Sequence, residues 1–142
     1  MFITFEGLDF CGKSTQVKLL EENLKGKGQQ VKIIREPGGT NISEEVRKIL
    51  LDKNNSEMFI ETELLLFSAS RAQLVREIII PLLEKNYYVI SDRFHDSSIA
   101  YQGFGRGLDV QSVIEIQNFA IGKSIPRISF FIDIPIEVML ER

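Results

Sequence analysis

The run Gly7-Leu8-Asp9-Phe10-Cys11-Gly12-Lys13-Ser14 has the residue types and spacing to hold phosphate. It reads G-x-x-x-x-G-K-S, follows the apolar stretch Phe2-Ile3-Thr4-Phe5, and precedes residues with helical spacing. That is a P-loop between a strand and a helix. Its glycines let the backbone curl until several N–H groups converge on one point. The helix that follows adds its partially positive N-terminus. Lys13 brings a point charge to the β- and γ-phosphates, and the Ser14 hydroxyl is a ligand for Mg2+. A Gly-rich turn with no ligand is the bland alternative, and the strand–loop–helix setting argues against it.

A phosphate loop needs a frame, and the chain alternates strand-like and helix-like segments with no internal repeat or low-complexity stretch. Residues 2–6 read as a strand. Residues 13–26 read as a helix with Val17, Leu20 and Leu24 on one face, ended by Gly26 and Gly28. Val31 to Arg35 is a second strand, and Pro37-Gly38-Gly39 a turn. Asn41 with Glu44 predicts a capping box for a short helix carrying Val46, Ile49 and Leu50. A polar loop, Lys53 to Ser56, leads to a long helix over 61–85 that Pro81 kinks. Tyr87 to Ser91 is a third strand. Asp109 caps a helix to about residue 122. Ile128 to Ile132 is a fourth strand, and Pro135 opens a last helix.

Strands apolar on both faces and separated by helices predict a parallel sheet between helix layers. Ligands in such folds bind beyond the C-terminal ends of the strands. Charge gathers at those ends: the P-loop after the first strand, Arg35-Glu36-Pro37 after the second, Asp92-Arg93 after the third, and Asp133 after the fourth. One such charge would read as a solvated loop residue, but four on one sheet edge read as a site.

At 142 residues the chain is long enough for one domain, residues 1–142, with a sizeable core. Mean hydropathy near zero and 44% apolar residues suit a soluble globular protein. The net charge of −3 argues against a general nucleic-acid or membrane binder, which needs a basic surface. A mononucleotide needs only a local basic cluster. Cys11 is the only cysteine, so no disulfide framework exists, and a reducing cytoplasm is the expected compartment. No signal peptide is read at the N-terminus, because Glu6 interrupts a short apolar stretch. No run approaches a membrane span.

Three further blocks, in order after the P-loop, are Arg35-Glu36-Pro37-Gly38-Gly39-Thr40, Leu66-Phe67-Ser68-Ala69-Ser70-Arg71-Ala72-Gln73, and Asp92-Arg93-Phe94-His95-Asp96-Ser97-Ser98-Ile99-Ala100-Tyr101-Gln102-Gly103. With them the whole chain resembles the thymidylate kinases, which move a phosphoryl group from ATP to dTMP, giving dTDP and ADP in dTTP biosynthesis. The resemblance implies an α/β fold of the P-loop NTPase type, three layers α/β/α around a parallel sheet. It also implies that the lid and a C-terminal strand of the family lie outside these residues, so the chain reads as part of a longer enzyme. Ile128 to Ile132 would then form an exposed apolar edge.

The roles carried by the resemblance are these. Gly7, Leu8, Asp9, Phe10, Cys11, Gly12, Lys13, Ser14 and Thr15 would hold the ATP phosphates. Mg2+ would sit among Ser14, Asp92 and Glu36, and Glu36 would also lie near the acceptor phosphate. Asp9 would contact the acceptor's 3′-hydroxyl close to the transferred phosphate. Arg35 and Arg93 would grip the dTMP phosphate, and Asp9, Lys13, Arg35 and Arg93 would form the catalytic set. Phe67 would stack on thymine, Arg71 bond its carbonyl, and Ser98 read the base edge. Tyr101 would lie beside the sugar and disfavour a ribose, with Gln102 near the base. A homodimer through the long helix would cover Leu64, Leu65 and Ile78-Ile79-Ile80. Partners would be ATP and dTMP, with no nucleic acid and no membrane.

Bland readings stand beside several of these. By periodicity alone Phe67 is a core residue, and only Arg71 one turn on tips it. Arg71 alone reads as surface charge, and Tyr101 alone as helix packing. His95 reads as a solvent-facing loop residue with no chemical role. Cys11 reads as a small filler, oxidisable where exposed. Glu44, Glu45, Arg47 and Lys48 read as a solvated helix face. Phe10 stands where some thymidylate kinases carry a phosphate-binding arginine, while others supply their arginines from the lid. This sequence resembles the second type. The alternatives are another nucleoside monophosphate kinase, for dUMP, dCMP or AMP, and a nucleotide-binding module without turnover.

Overall fold

The computed structural model describes residues 1–141. Four parallel strands form one sheet in the order β2-β3-β1-β4: β1 Phe2–Gly7, β2 Val31–Arg35, β3 Tyr88–Asp92 and β4 Ile128–Ile132. Alternation along the strands sends side chains to two cores. Phe2, Ile34 and Val89 pack on one face with Leu74, Val75, Ile79, Phe94 and Ile121. Ile3, Phe5 and Ile90 pack on the other with Val17, Leu20 and Leu24 of α1, Lys13–Gly26. Helices thus cover both faces, the expected three-layer α/β/α arrangement. The expected apolar edge is also present: β4 is an outer strand, and Phe131 is 70% exposed.

Several local expectations need correction. Helix α2, Asn41–Leu51, is capped one residue earlier than the sequence suggests: the Thr40 hydroxyl accepts from Ser43 N at 3.1 Å. Glu44 closes no box at Asn41 but accepts from Gly39 N at 2.7 Å. That bond holds its carboxyl below the ordinary range. The long helix is three pieces: α3 Ile60–Leu74, a π-helical turn Val75–Ile79, and α4 Ile80–Glu84. Pro81 has no N–H for the Glu77 carbonyl, and the chain widens in the turn just before it. Leu64 and Ile79 are buried in this chain, so only part of the apolar excess assigned to a dimer is exposed, notably Leu65.

After β3 the chain forms a short helix α5, His95–Ser98, which runs into a second π-helical stretch, Ile99–Gly105. Asp109 caps α6, Val110–Ile121, as expected, accepting from Ser112 N at 2.8 Å. The chain closes with α7, Ile136–Leu140.

Candidate active site

The P-loop follows β1 because Gly7 and Gly12 permit what other residues resist. Gly7 has φ +139°, and a Cβ there would lie 2.5 Å from the Ile132 carbonyl oxygen of neighbouring β4. Gly12 has φ 97° and places no side chain over the start of α1. Anions therefore have access to that helix end. Lys13 is buried and folds back on its own loop, donating to the carbonyls of Gly7 at 3.1 Å and Leu8 at 2.6 Å. Cys11 lies buried beneath the loop, its Sγ 3.7 Å from Lys13 Nζ. The proviso that an exposed Cys11 is oxidisable therefore does not apply.

Two adjoining hollows of about 620 and 720 Å3 open at the C-terminal ends of the strands. The first is lined by Asp9, Phe10, Gly12, Lys13, Ser14 and Thr15 of the loop, together with Arg35 and Asp92. Gly7, Leu8 and Cys11 line neither hollow. The second is lined by Phe67, Arg71, Ser98, Tyr101 and Gln102. Asp9, Glu36, Arg47 and Arg93 line both, so they form the boundary between the hollows.

At that boundary Arg93 donates to Asp9 Oδ1 at 2.6 Å and to Ser97 Oγ at 3.3 Å, and it lies 5.4 Å from the Tyr101 ring centre. Burial works against its charge, but the Asp9 bond and the Tyr101 hydroxyl outweigh it and raise its pKa. Arg93 has φ 70°, a left-handed conformation costing about 1–3 kcal/mol for such a residue. Its backbone is pinned from both sides: its N–H donates to Phe5 O at 3.0 Å, and its carbonyl accepts from Ser91 Oγ at 2.6 Å. Ser14 Oγ donates to Asp92 Oδ2 at 3.1 Å, which puts two hard oxygen ligands side by side. This pair suits Mg2+, which keeps several waters and binds few protein ligands beside substrate phosphates. Glu36 does not join them through its paired oxygen, which faces Arg71. Among the described residues no cluster of three or more His, Cys, Asp or Glu is placed to hold a metal.

Arg71 is neither the surface charge of the bland reading nor free to act alone. It is 2% exposed, and all three of its guanidinium nitrogens have partners in the chain. Nε and one terminal nitrogen reach Glu36 Oε2 at 2.6 and 2.5 Å. That terminal nitrogen also donates to the Phe94 carbonyl at 3.1 Å, and the other donates to Ser98 Oγ at 3.0 Å and to Gln117 Oε1. Gln117 in turn donates to Ser68 Oγ at 2.9 Å. Burial pushes the Glu36 carboxyl up, against the pull of Arg71, and Glu36 Oε1 is buried without a partner.

Other residues of the site went unread in the sequence. Arg47 is not a solvated face residue: it lines both hollows and donates to the Pro37 carbonyl at 2.8 Å. Glu44 of the same face pairs with Arg35 at 3.4 Å. Their i, i+3 spacing behind the Arg-Glu-Pro turn was the one available signal. Glu6 is buried at the end of β1 and accepts from Phe94 N at 2.7 Å and Ser97 Oγ at 2.6 Å. Burial pushes its carboxyl up, with those two bonds pulling against it. His95 is not a solvent-facing loop residue. It starts α5, its ring meets Phe94 edge-on at 5.2 Å, and its Nδ1 is buried without a partner. Burial pushes its imidazole down. Asp133 lines neither hollow.

The family model described as thymidylate kinase matches residues 5–142. The chain belongs to the thymidylate kinase family. It is 54% identical over 142 residues to the thymidylate kinase of Kosmotoga olearia, covering all of this chain and 68% of that one. The thymidylate kinase of Thermosipho africanus is also 54% identical, again over the whole chain and over 70% of the relative. The crystal structure of thymidylate kinase from Ehrlichia chaffeensis superposes with a TM-score of 0.87 at 40% identity, covering 99% of this chain and 80% of that one. The chain thus spans about two thirds of the length of these curated relatives. Among the described residues no helix is long and apolar enough to cross a membrane.

Proposed function

We propose that residues 1–142 act as a single kinase domain that transfers the γ-phosphoryl group of ATP to dTMP, giving dTDP and ADP. The observation that carries this reading is the shared wall: Asp9, Glu36, Arg47 and Arg93 stand between a phosphate loop and a hollow lined by Phe67, Arg71 and Tyr101. ATP and acceptor phosphates repel each other, and fixed cations at that wall let them meet in line. A phosphate oxygen of dTMP attacks the γ-phosphorus and ADP leaves. The attacking oxygen is already deprotonated, so positioning and charge suffice without a strong base.

The loop amides of residues 7–15 and Lys13 hold the donor phosphates, and Lys13 exchanges its loop carbonyls for them. Arg35 and Arg93 hold the acceptor phosphate, and Asp9 the sugar's 3′-hydroxyl. Ser14 and Asp92 would hold Mg2+, with Glu36 near it, and the ion would supply positive charge against the phosphates. Phe67 stacks on the base, and Tyr101 lies beside the sugar. Arg71 meets the base carbonyl by releasing Ser98, whose hydroxyl then turns to the base edge. Exposed Leu65 on α3 and Phe119 on α6 support a homodimer. A buried free thiol at Cys11 is in keeping with a cytoplasmic site of action.

Thermal melting with Mg2+ and a panel of nucleoside monophosphates tests the acceptor site. At a hundred times its Kd, dTMP should add about 2.7 kcal/mol, and AMP and CMP little. A cooperative melt that no monophosphate moves would overturn the assignments of Phe67, Arg71 and Arg93. ADP release that needs dTMP tests turnover.

A further inference from the structure

Glu63 lies on the first turn of α3, four residues before Phe67 and eight before Arg71, and all three line the same hollow. This spacing stacks them on one helix face. Glu63 Oε1 accepts from Gln102 Nε2 at 2.8 Å, and Oε2 accepts from Arg106 at 3.0 Å. A carboxylate accepts hydrogen bonds and cannot donate them, so only the NH2 end of Gln102 can face it. The carbonyl end must point elsewhere. Gln102 lines the hollow, and no described residue donates to its Oε1. Nor is that oxygen among the buried side-chain atoms left without a partner, so it keeps some accessible surface on a residue that lines the hollow.

We propose that Glu63 is a positioning residue for base selection: it fixes the Gln102 amide with its carbonyl toward the base, so the hollow takes a base edge that carries a ring N–H beside a carbonyl. This rests on the reading of the hollow as a thymine pocket and adds the device that orients it. Arg71 can only donate, which suits the base carbonyl. Gln102, held this way, can only accept, which suits the adjacent ring N–H. Cytosine and adenine present an amino group and a bare ring nitrogen, reversed at both positions. A site built to bond a polar group rejects the wrong one because its own buried group is left unpaired.

The relay predicts an inversion. In Glu63→Gln the new amide must give its oxygen to Arg106, which only donates, and its NH2 to Gln102. The Gln102 carbonyl turns to meet that NH2, and its own NH2 then faces the base. Calorimetric Kd values for dTMP and dCMP, which need no turnover, read the effect. The dTMP/dCMP preference should fall about tenfold or more in Glu63→Gln, the size of one to two such bonds. ATP affinity should hold, and in a Gln102→Ala background the substitution should change the preference little. A preference unchanged within about twofold, or the same fall in the Gln102→Ala background, would overturn the proposal. If Glu63→Gln fails to fold, dTMP methylated at the ring N–H should bind the unaltered protein at least about tenfold more weakly, and equal binding overturns the relay. A protein that does not bind dTMP at all fails the pocket reading itself, a different result from tight dTMP binding with no Glu63 effect.

Discussion

The two ends of the site are built differently. At the base end, Arg71, Glu36, Gln117, Ser68 and Ser98 are buried and bonded to one another before any ligand arrives. At the phosphate end, Asp9 is 73% exposed, Phe10 is 66% exposed, and Lys13, among the described residues, is bonded only to its own loop. A pre-bonded wall costs little ordering when a base enters, whereas the loop exchanges internal bonds for phosphate. Changes at the base end should therefore be felt in stability, and changes at the phosphate end in rate.

The largest expected effect tests the first half of that contrast. Arg71→Met leaves Glu36 buried without its cation, which costs about 3–5 kcal/mol in denaturant unfolding. Adding Glu36→Gln should recover part of the loss, because the stranded charge is then gone. A loss under about 1 kcal/mol would show that the base end is as loosely held as the phosphate end. The second half is tested by Lys13→Ala. It should lower kcat by about 10²–10³-fold, the scale of one lost electrostatic contact to developing charge. Its unfolding free energy should fall by less than in Arg71→Met, about 1–3 kcal/mol, since two bonds to loop carbonyls are lost but no buried charge is stranded. A large stability loss would erase the difference between the ends.

What was legible in the sequence divides along a similar line. The phosphate end is a local motif, eight consecutive residues between a strand and a helix, and α1 and β1 lie where the pattern puts them. Phe67 and Arg71 were legible as a helical pair. The bonds that fix Arg71 were not, because Gln117 comes from α6, which meets α3 only in the folded chain. The widened turns at Val75–Ile79 and Ile99–Gly105 escaped for another reason. Apolar spacing does not distinguish a π-helical turn from an α-helical one over a few residues. The neighbours Tyr101 and Gln102 of that second stretch both line one hollow. His95 was misread because the loop expected there is a short helix packed under Phe94.

Glu6 joins the two ends: it closes β1 just before the loop and holds the Phe94 and Ser97 groups beside Arg93. Glu6→Ala leaves a buried Phe94 N–H without an acceptor, at a cost of about 1–3 kcal/mol. It should also weaken dTMP binding, because Arg93 loses part of what holds its left-handed backbone. A stability loss with unchanged dTMP affinity would mean that Arg93 is fixed by Phe5 and Ser91 alone.

The smallest effect separates burial from bonding at Glu6. Its carboxyl is raised from 4.5, chiefly by burial. In a window above that value the folded chain keeps a proton that the unfolded chain has lost. Folded protein then binds more protons, so stability falls as pH rises through the window and levels off above it. Glu36 is raised for the same first cause and contributes with the same sign, so Glu6 supplies only part of the slope. Glu6→Gln keeps the shape and both bonds: its carbonyl accepts from Phe94 N–H, and its NH2 donates to Ser97 Oγ. It does not titrate. Denaturant unfolding across pH should therefore give a flatter curve for the variant, meeting the unaltered protein at the acid end and lying above it toward neutral pH. Were the unaltered protein instead to gain on the variant as pH rises, the bonds from Phe94 and Ser97 would outweigh burial. Glu6 would then favour its charged form, and the junction between the two ends would be held by an ionised carboxylate.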